Sequence, residues 1–464
     1  GVTIVGIDAA GAFHGVQSLL ALLPGDVATH KEIPQLQINY DAPRYGYRGV
    51  QIDIARNFHD AASILKVLDQ AAAYKLNALH LHLSDDEGFR LEIPGLPELT
   101  AIGSRRCHDE SETSCILPQL GSGPDAETSG TGFLTRAEYV KILAAAAARH
   151  IEVIPEFDMP GHARAAIKAM EVRAAKGDAA LRLSDPEDKS KYLSVQYYKD
   201  NALNGCIDST YAFVGKLMDE VKKMHEEAKA PLRTWHVGAD EVGVGAWTDS
   251  PACKALFAQN GEVKTADDVH GYFIKRVNGI AKEHGVTIRG WSDGLRKAGP
   301  ANADGKPTKV FIDPKTDLAD NAPSTNWWGT LFWWDNSVYH LANAGYKVIL
   351  TSPDFLYLDH PYEADPKERG YYWGTRYTDV AKLFAYMPGN LPANVQLTKD
   401  RMGNDYTAAF APTTATPKPV DALTSPENIV GMEAPFWSET VRSDAEVEYM
   451  VFPRLLAFAE RAWH

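Results

Sequence analysis

Nothing in the 464 residues approaches an apolar run long enough to cross a bilayer. Positive charge is also short: 47 Lys and Arg stand against 61 Asp and Glu, a net charge of −14. The first absence argues against a helical membrane anchor. The second argues against a sequence-independent nucleic-acid binder, because phosphate binding needs a basic face. No G-x-S-x-G elbow supports a serine hydrolase, and no self-similarity at solenoid periods supports a repeat array. Cysteine is scarce, at four residues. The even number fits two disulfides, with Cys107 and Cys115 bracketing a polar loop and Cys206 within reach of Cys253, although spacing does not fix the pairing. Disulfides imply an oxidising compartment. The chain opens on Gly1 with no signal peptide, which fits either a removed leader or a fragment, and we expect an exported protein, periplasmic or secreted.

What is present points to a large α/β barrel, since such barrels take about 250 residues and often exceed 400. Short β-rich runs alternate with helical ones from about residue 48. The expected strands are Gly49–Ile54, Ala78–Ser84, Ile151–Phe157, Thr234–Ala239, Thr287–Trp291, Lys309–Ile312, Tyr346–Thr351 and Ile429–Glu433. Several are nearly continuous apolar stretches, as in a parallel sheet covered by helices. Segments of 3.6-residue period lie between them at Ala61–Tyr74, Ala137–Arg149, Tyr211–Glu227, Asp268–His284 and Ser337–Asn343, and Ala445–Trp463 closes the chain. This order predicts a (β/α)8 TIM barrel over residues 45–464. Asn321–Asp335 reads as an aromatic loop and Ala408–Ser425 as a long loop before the eighth strand. Residues 1–44 break the rhythm: Val2–Ile7, Gly11–Leu23 and Gln35–Tyr40 read as strand, helix and strand, the end of a preceding α+β domain.

Barrel enzymes carry their chemistry at the C-terminal ends of strands. Carboxylates and indoles collect there: Asp53 and Arg56, Asp85-Asp86-Glu87, Glu156 and Asp158 with His162, Asp240-Glu241, Trp291 with Asp293, Tyr357 with Asp359, and Glu433, Trp437 and Glu439. Any one of these fits a helix cap or an ion pair; together they describe an acidic, aromatic-walled pocket for a neutral polar substrate. The adjacent Asp240-Glu241 pair is the most informative. Side chains alternate along a strand, and glycosidases with two facing carboxylates hold them about 5–5.5 or 6.5–9.5 Å apart. Neighbours suit another division of labour, one shuttling a proton and the other orienting a group of the substrate. His80-Leu-His82 has the H-x-H spacing of metal-dependent barrels, but it is not on the first strand and strands five and six offer no histidine. No metal and no cofactor are expected, and the two histidines should hydrogen-bond carboxylates such as Asp86 or Glu156.

Four runs carry a resemblance. Tyr47-Arg-Gly-Val-Gln-Ile-Asp-Ile-Ala-Arg56-Asn-Phe-His, Leu79-His-Leu-His-Leu-Ser-Asp85-Asp86-Glu-Gly-Phe-Arg, Pro155-Glu-Phe-Asp158-Met-Pro-Gly-His162 and His236-Val-Gly-Ala-Asp240-Glu241 resemble glycoside hydrolase family 20, the β-N-acetylhexosaminidases, and most of all its bacterial chitobiase branch. The likeness runs colinearly from about Tyr45 to His464, and Val2–Pro24 resembles the end of the α+β domain preceding the barrel in that family, much of it absent here. Phe89 departs from the pattern, which would place Trp there. The resemblance implies a retaining exo-β-N-acetylhexosaminidase acting on N-acetylglucosamine-containing oligosaccharides such as chitobiose and short chitooligosaccharides, with the substrate's own acetamide as nucleophile. It implies Glu241 as acid and base, Asp240 on the acetamido N–H and Tyr357 on its oxygen. Trp291, Trp327 and Trp437 would wall in the methyl group. Arg56 and Glu439 would bind ring hydroxyls, Asp359 would lie near O4/O6 or support Tyr357, Asp85 and His162 would support the carboxylates, and Trp373 would carry the leaving sugar. An endo-chitinase is disfavoured by the missing D-x-x-D-x-D-x-E run, and an inactive carbohydrate-binding barrel by the intact Arg56, Asp240, Glu241 and Tyr357.

Overall fold

Leu79, Leu81 and Leu83 alternate with His80, His82 and Ser84 along one strand, and the alternation separates two environments. The leucines enter the hydrophobic layer between sheet and helices, while the histidines turn inward to carboxylates on other strands. The computed structural model describes the chain except residues 25–31, 34, 306, 319–320, 322, 330–336 and 406–420. Its eight parallel strands are β1 (Tyr47–Asp53), β2 (Ala78–Asp85), β3 (Glu152–Phe157), β4 (Thr234–His236), β5 (Thr287–Trp291), β6 (Ser324–Trp327), β7 (Lys347–Leu350) and β8 (Ile429–Ala434). β1 pairs with both β2 and β8, which closes the sheet into the expected (β/α)8 barrel. The interior departs from the usual branched aliphatic filling of such barrels. His80, His82, His236, Asn326, Glu156 and Glu433 occupy it, all fully buried, and it stays stable because each charge has a partner.

The sixth strand differs from expectation. Pro307–Phe311 pairs antiparallel with Arg296–Ala301 as a hairpin outside the barrel, and Ser324–Trp327 takes the place between β5 and β7. Apolar content misled here because Asn326 faces the polar interior, donating to Glu433 at 2.6 Å. The expected aromatic loop therefore begins with a strand; its Trp333 and Trp334 lie outside the described residues, as does most of Ala408–Ser425.

The helices follow their caps. Thr135 and Glu138 form the capping box that starts Arg136–Ala147, and Gly285, at φ +70°, stops Ala266–Glu283. The expected closing helix is two, Asp444–Val451 and Arg454–Trp463. Pro453 lacks an N–H and forces Phe452 out of the helical region, to φ −108° and ψ 142°. Near the start, Ala9–Ala21 is helical, capped by Asp8, but Val2–Ile7 and Gln35–Tyr40 pair with no strand among the described residues. Most of their side chains are exposed, so no apolar face is there to drive pairing. Asp41, just beyond, accepts from Trp463 Nε1 at 2.5 Å and meets Lys75 at 3.0 Å.

Both cysteine pairs are bonded, Cys107 to Cys115 and Cys206 to Cys253, with Cα separations of 5.8 and 5.0 Å. The first closes a loop whose buried Glu112 ion-pairs with Arg164. Phe89, where the family pattern would place Trp, stacks on Phe157 in the core at 5.5 Å between centroids. Among the described residues no helix is long and apolar enough to cross a membrane.

Candidate active site

β4 stops at His236, and the next residues abandon strand geometry. Gly238, Ala239 and Glu241 take φ of +66°, +76° and +48°. A Cβ on Gly238 would run into the Asp158 carboxylate, so only glycine fits there. The non-glycine residues carry strain of order 1–3 kcal/mol each, sustained only where the surroundings hold them. Asp158 accepts from Ala239 N at 3.1 Å and Asp293 accepts from Glu241 N at 3.2 Å, stapling the turn on both sides. The coil cancels the alternation of a strand. Asp240 and Glu241, neighbours in sequence, therefore both reach His162 Nε2, at 3.8 and 3.4 Å.

His162 is the hinge of the charge network. Its Nδ1 sits 3.1 Å from Asp85, which also meets Arg56 at 2.7 Å and His82 at 2.8 Å. Burial would raise the Asp85 carboxyl, but the Arg56 and His162 charges outweigh it and hold it well below the carboxylate range. Burial likewise opposes charge on His162, yet Asp85, Glu241 and Asp240 keep it protonated well above its ordinary value. Desolvation lifts Asp240 to about 7 against the pull of His162. Burial also acts to raise Glu241, but the His162 contact and the Gln196 amide, 3.0 Å from Oε2, bring it below its ordinary value.

An aromatic box adjoins the pair. Trp291, Trp328 and Tyr357 form a buried cluster of their own, with Trp373 and Trp437 packed against it. Trp291 and Trp437 lie 5.5 Å apart, and Trp373 meets Trp328 and Tyr357 edge-on at 5.9 and 5.7 Å. Trp328 Nε1 donates to Asp293 at 2.7 Å, tying the box to the turn that holds Glu241. Trp291 Nε1 donates to Glu156 at 2.8 Å, and three histidines surround that carboxylate. Atoms of His80, Glu156 and His236 lie within 4.8 Å of one another, a spacing that a cation could bridge. Their present bonds are to each other, the chemistry of a charge-paired interior layer. The histidine partners are Glu156, Glu433 and Asp85; Asp86 is instead bound by Asn201 and the Arg164 amide.

Arg56 closes a third wall, its guanidinium 5.0 Å from the Trp437 ring and paired with Asp85, Glu87 and Asp53. Glu439 belongs to this corner: burial pushes it up to about 7, against the charge of Arg56. Asp359 accepts from Trp437 N at 3.5 Å, and burial, followed by the Glu439 charge, raises it well above the carboxylate range. The pocket thus has an acid pair at one end, an indole box beside it and a polar corner of one guanidinium and two carboxyls.

The profile described as glycosyl hydrolase family 20, catalytic domain, matches residues 45–464. The chain belongs to glycosyl hydrolase family 20. Among curated members it is similar to the beta-hexosaminidase of Vibrio vulnificus, 47% identical over 474 residues, covering 100% of this chain and 52% of the relative. It is 45% identical to the N,N'-diacetylchitobiase of Vibrio harveyi, covering 100% of this chain and 54% of that one. The chain spans about half the length of these curated relatives. Among solved structures, the GH20 exo-β-N-acetylglucosaminidase of Vibrio harveyi in complex with N-acetylglucosamine superposes with a TM-score of 0.74 at 29% identity, covering 98% of this chain and 60% of that one. The Streptomyces plicatus N-acetyl-β-hexosaminidase in complex with thio-NAglucal gives 0.62 at 28% identity, covering 98% and 72%.

Of the residues that the family pattern singles out, Arg56, Asp85, His162, Asp240, Glu241, Trp291, Tyr357, Asp359, Trp373, Trp437 and Glu439 converge here. Trp327 does not. It is the last residue of β6, and with Asn326 facing the interior, alternation turns its indole out into the helix-covered core. Trp328, one position on, takes the place in the box expected for Trp327. Trp327→Ala is accordingly expected to lower unfolding free energy by about 3–5 kcal/mol in urea denaturation, whereas Trp328→Ala should act chiefly on kcat/KM. The reverse pattern would contradict this placement. Asp158 and Asp293 sit at predicted strand ends, but their task of stapling the turn follows from contacts between separate strands. Gln196 lies in a loop without any motif, and nothing local marks it.

Proposed function

We propose that this barrel is the catalytic unit of an exo-acting β-N-acetylhexosaminidase releasing terminal β-linked N-acetylglucosamine from chitobiose and short chitooligosaccharides with retention. The observation that carries this reading is the convergence of two adjacent carboxyls on one imidazole beside an indole box. Such a pair cannot straddle a sugar ring as nucleophile and acid do. It can grip an acetamide with one member and protonate a glycosidic oxygen with the other.

The acetamido oxygen attacks C1 of its own sugar while Glu241 gives its proton to the departing oxygen, leaving an oxazolinium ion. Water then attacks C1, Glu241 takes its proton, and the ring reopens to the β-hemiacetal. Asp240 accepts the acetamido N–H and offsets the positive charge that grows there. The intramolecular nucleophile benefits from effective molarity. The methyl group is desolvated against Trp291, Trp328 and Trp437, a gain of roughly 25 cal/mol per Å² covered. Arg56 forks onto ring hydroxyls, with Glu439 and Asp359. The two disulfides support a periplasmic or secreted location.

The test compares an aryl β-N-acetylglucosaminide with the matching aryl β-glucoside. The acetamide should be favoured by about 10³-fold or more, since effective molarity disappears without it, and the first product anomer by NMR should be β. Equal rates, or a glycosyl ester trapped on a side chain, would overturn the reading. A neutral oxazoline mimic should inhibit strongly.

A further inference from the structure

Glu241 is gripped by a loop residue as well as by His162. The segment 192–198 forms a tight turn in which Tyr197 N donates to Ser194 O at 3.0 Å, Tyr198 N to Ser194 Oγ at 3.0 Å, and Tyr197 takes φ +68°. Its base is anchored. Tyr198 donates to Glu87 at 3.1 Å and lies under the Arg164 guanidinium, and Tyr192 accepts from Ala202 N at 2.8 Å. The turn delivers Gln196 Nε2 to Glu241 Oε2 at 3.0 Å. Its amide oxygen is buried and has no partner, a costly state for an acceptor unless something else completes it. On either side Val195 and Tyr197 are 59% and 79% exposed, apolar faces held up by a rigid turn.

We propose that Gln196 positions the acid: its Nε2–H fixes which Glu241 oxygen carries the transferable proton, and so sets how strongly Glu241 protonates the leaving group. The inference rests on the glycosidase reading above. Oε2 of Glu241 already receives Gln196 at 3.0 Å and faces His162 at 3.4 Å, so the proton belongs on Oε1, free to meet the glycosidic oxygen.

The charged and titratable groups around Glu241 are His162 after β3, Asp240 in its own turn, Asp293 after β5, Arg56 after β1, and Tyr357 after β7. Gln196 adds a neutral donor to the ionised form, so removing it should make Glu241 a weaker acid.

The experiment sets Gln196→Ala and Gln196→Glu beside the wild type, each with chitobiose and with a 4-nitrophenyl N-acetylglucosaminide, whose phenolate needs little protonation. For Gln196→Ala, kcat/KM on chitobiose should fall roughly tenfold more than on the aryl glycoside, and the basic limb of its pH profile should move up. Gln196→Glu, which sets a carboxylate against Glu241, should move that limb further. Equal losses on the two substrates with unmoved limbs would overturn the inference and leave the hexosaminidase reading standing. A wild-type enzyme indifferent to the acetamide would bring down that reading instead.

Discussion

Glu241→Gln is expected to cut turnover of chitobiose by about 10²–10⁴-fold, the range supplied by a positioned acid and base, while binding of N-acetylglucosamine stays near wild type. The amide is isosteric with the carboxyl and can still meet Gln196 and His162, and the backbone N–H keeps its bond to Asp293, so the turn should hold. It has no acidic proton to give. The loss should be smaller on an aryl glycoside with an acidic phenol, because protonation of the leaving oxygen then matters less. Isothermal titration with product, beside steady-state rates on both substrates, separates the two effects. Loss of product binding would place Glu241 in the ground-state contacts and remove it as the acid.

Asp240→Asn should reduce kcat/KM on N-acetylated substrates by about 10²–10³-fold, the scale of a lost group aimed at developing charge. The pair stands in the opposite order from the one that the proposed mechanism needs. Asp240, lifted by burial to about 7, keeps a proton near neutrality while Glu241 yields its own below the ordinary value. An arriving acetamide N–H favours ionised Asp240, and that negative charge in turn raises the neighbouring acid, so binding would shift the shared proton to Glu241. The sign of the pH response follows. Activity should fall in acid as Asp240 takes up a proton and fall in base as Glu241 loses one. In Asp240→Asn the neighbouring charge is gone, so Glu241 titrates lower and the basic limb should move down in pH. An unmoved limb with near-normal activity would contradict the assignment.

Most of the barrel could be read along the chain, because seven strands carry the apolar faces that a helix-covered sheet demands. β5 begins and ends where the sequence places it. β6 escaped because its inward residue is Asn326, whose value lies in Glu433 on a distant strand. The closing helix was read through Pro453, where local backbone chemistry already argued for a break. In the pocket, residues that recur in motifs at strand ends were legible: Arg56, Asp85, His162, Asp240, Glu241, Tyr357 and Trp437. Trp328 was missed for its neighbour because choosing between adjacent indoles depends on where β6 ends and which way its last residue faces. Gln196 carries no motif and reaches Glu241 only because a turn anchored by Tyr198 and Tyr192 lowers it there.

Read as a string, the chain specifies a parallel barrel and an acidic, indole-rich rim, since periodicity and turn residues act over a few positions and need no partner. Folding in three dimensions settles the direction of each side chain: that Asp240 and Glu241 meet at one imidazole, that Trp327 goes to the core and Trp328 to the pocket, and that a histidine–carboxylate stack fills the interior. Those outcomes depend on contacts between residues far apart along the chain. Local pattern carries no information about distances of that kind.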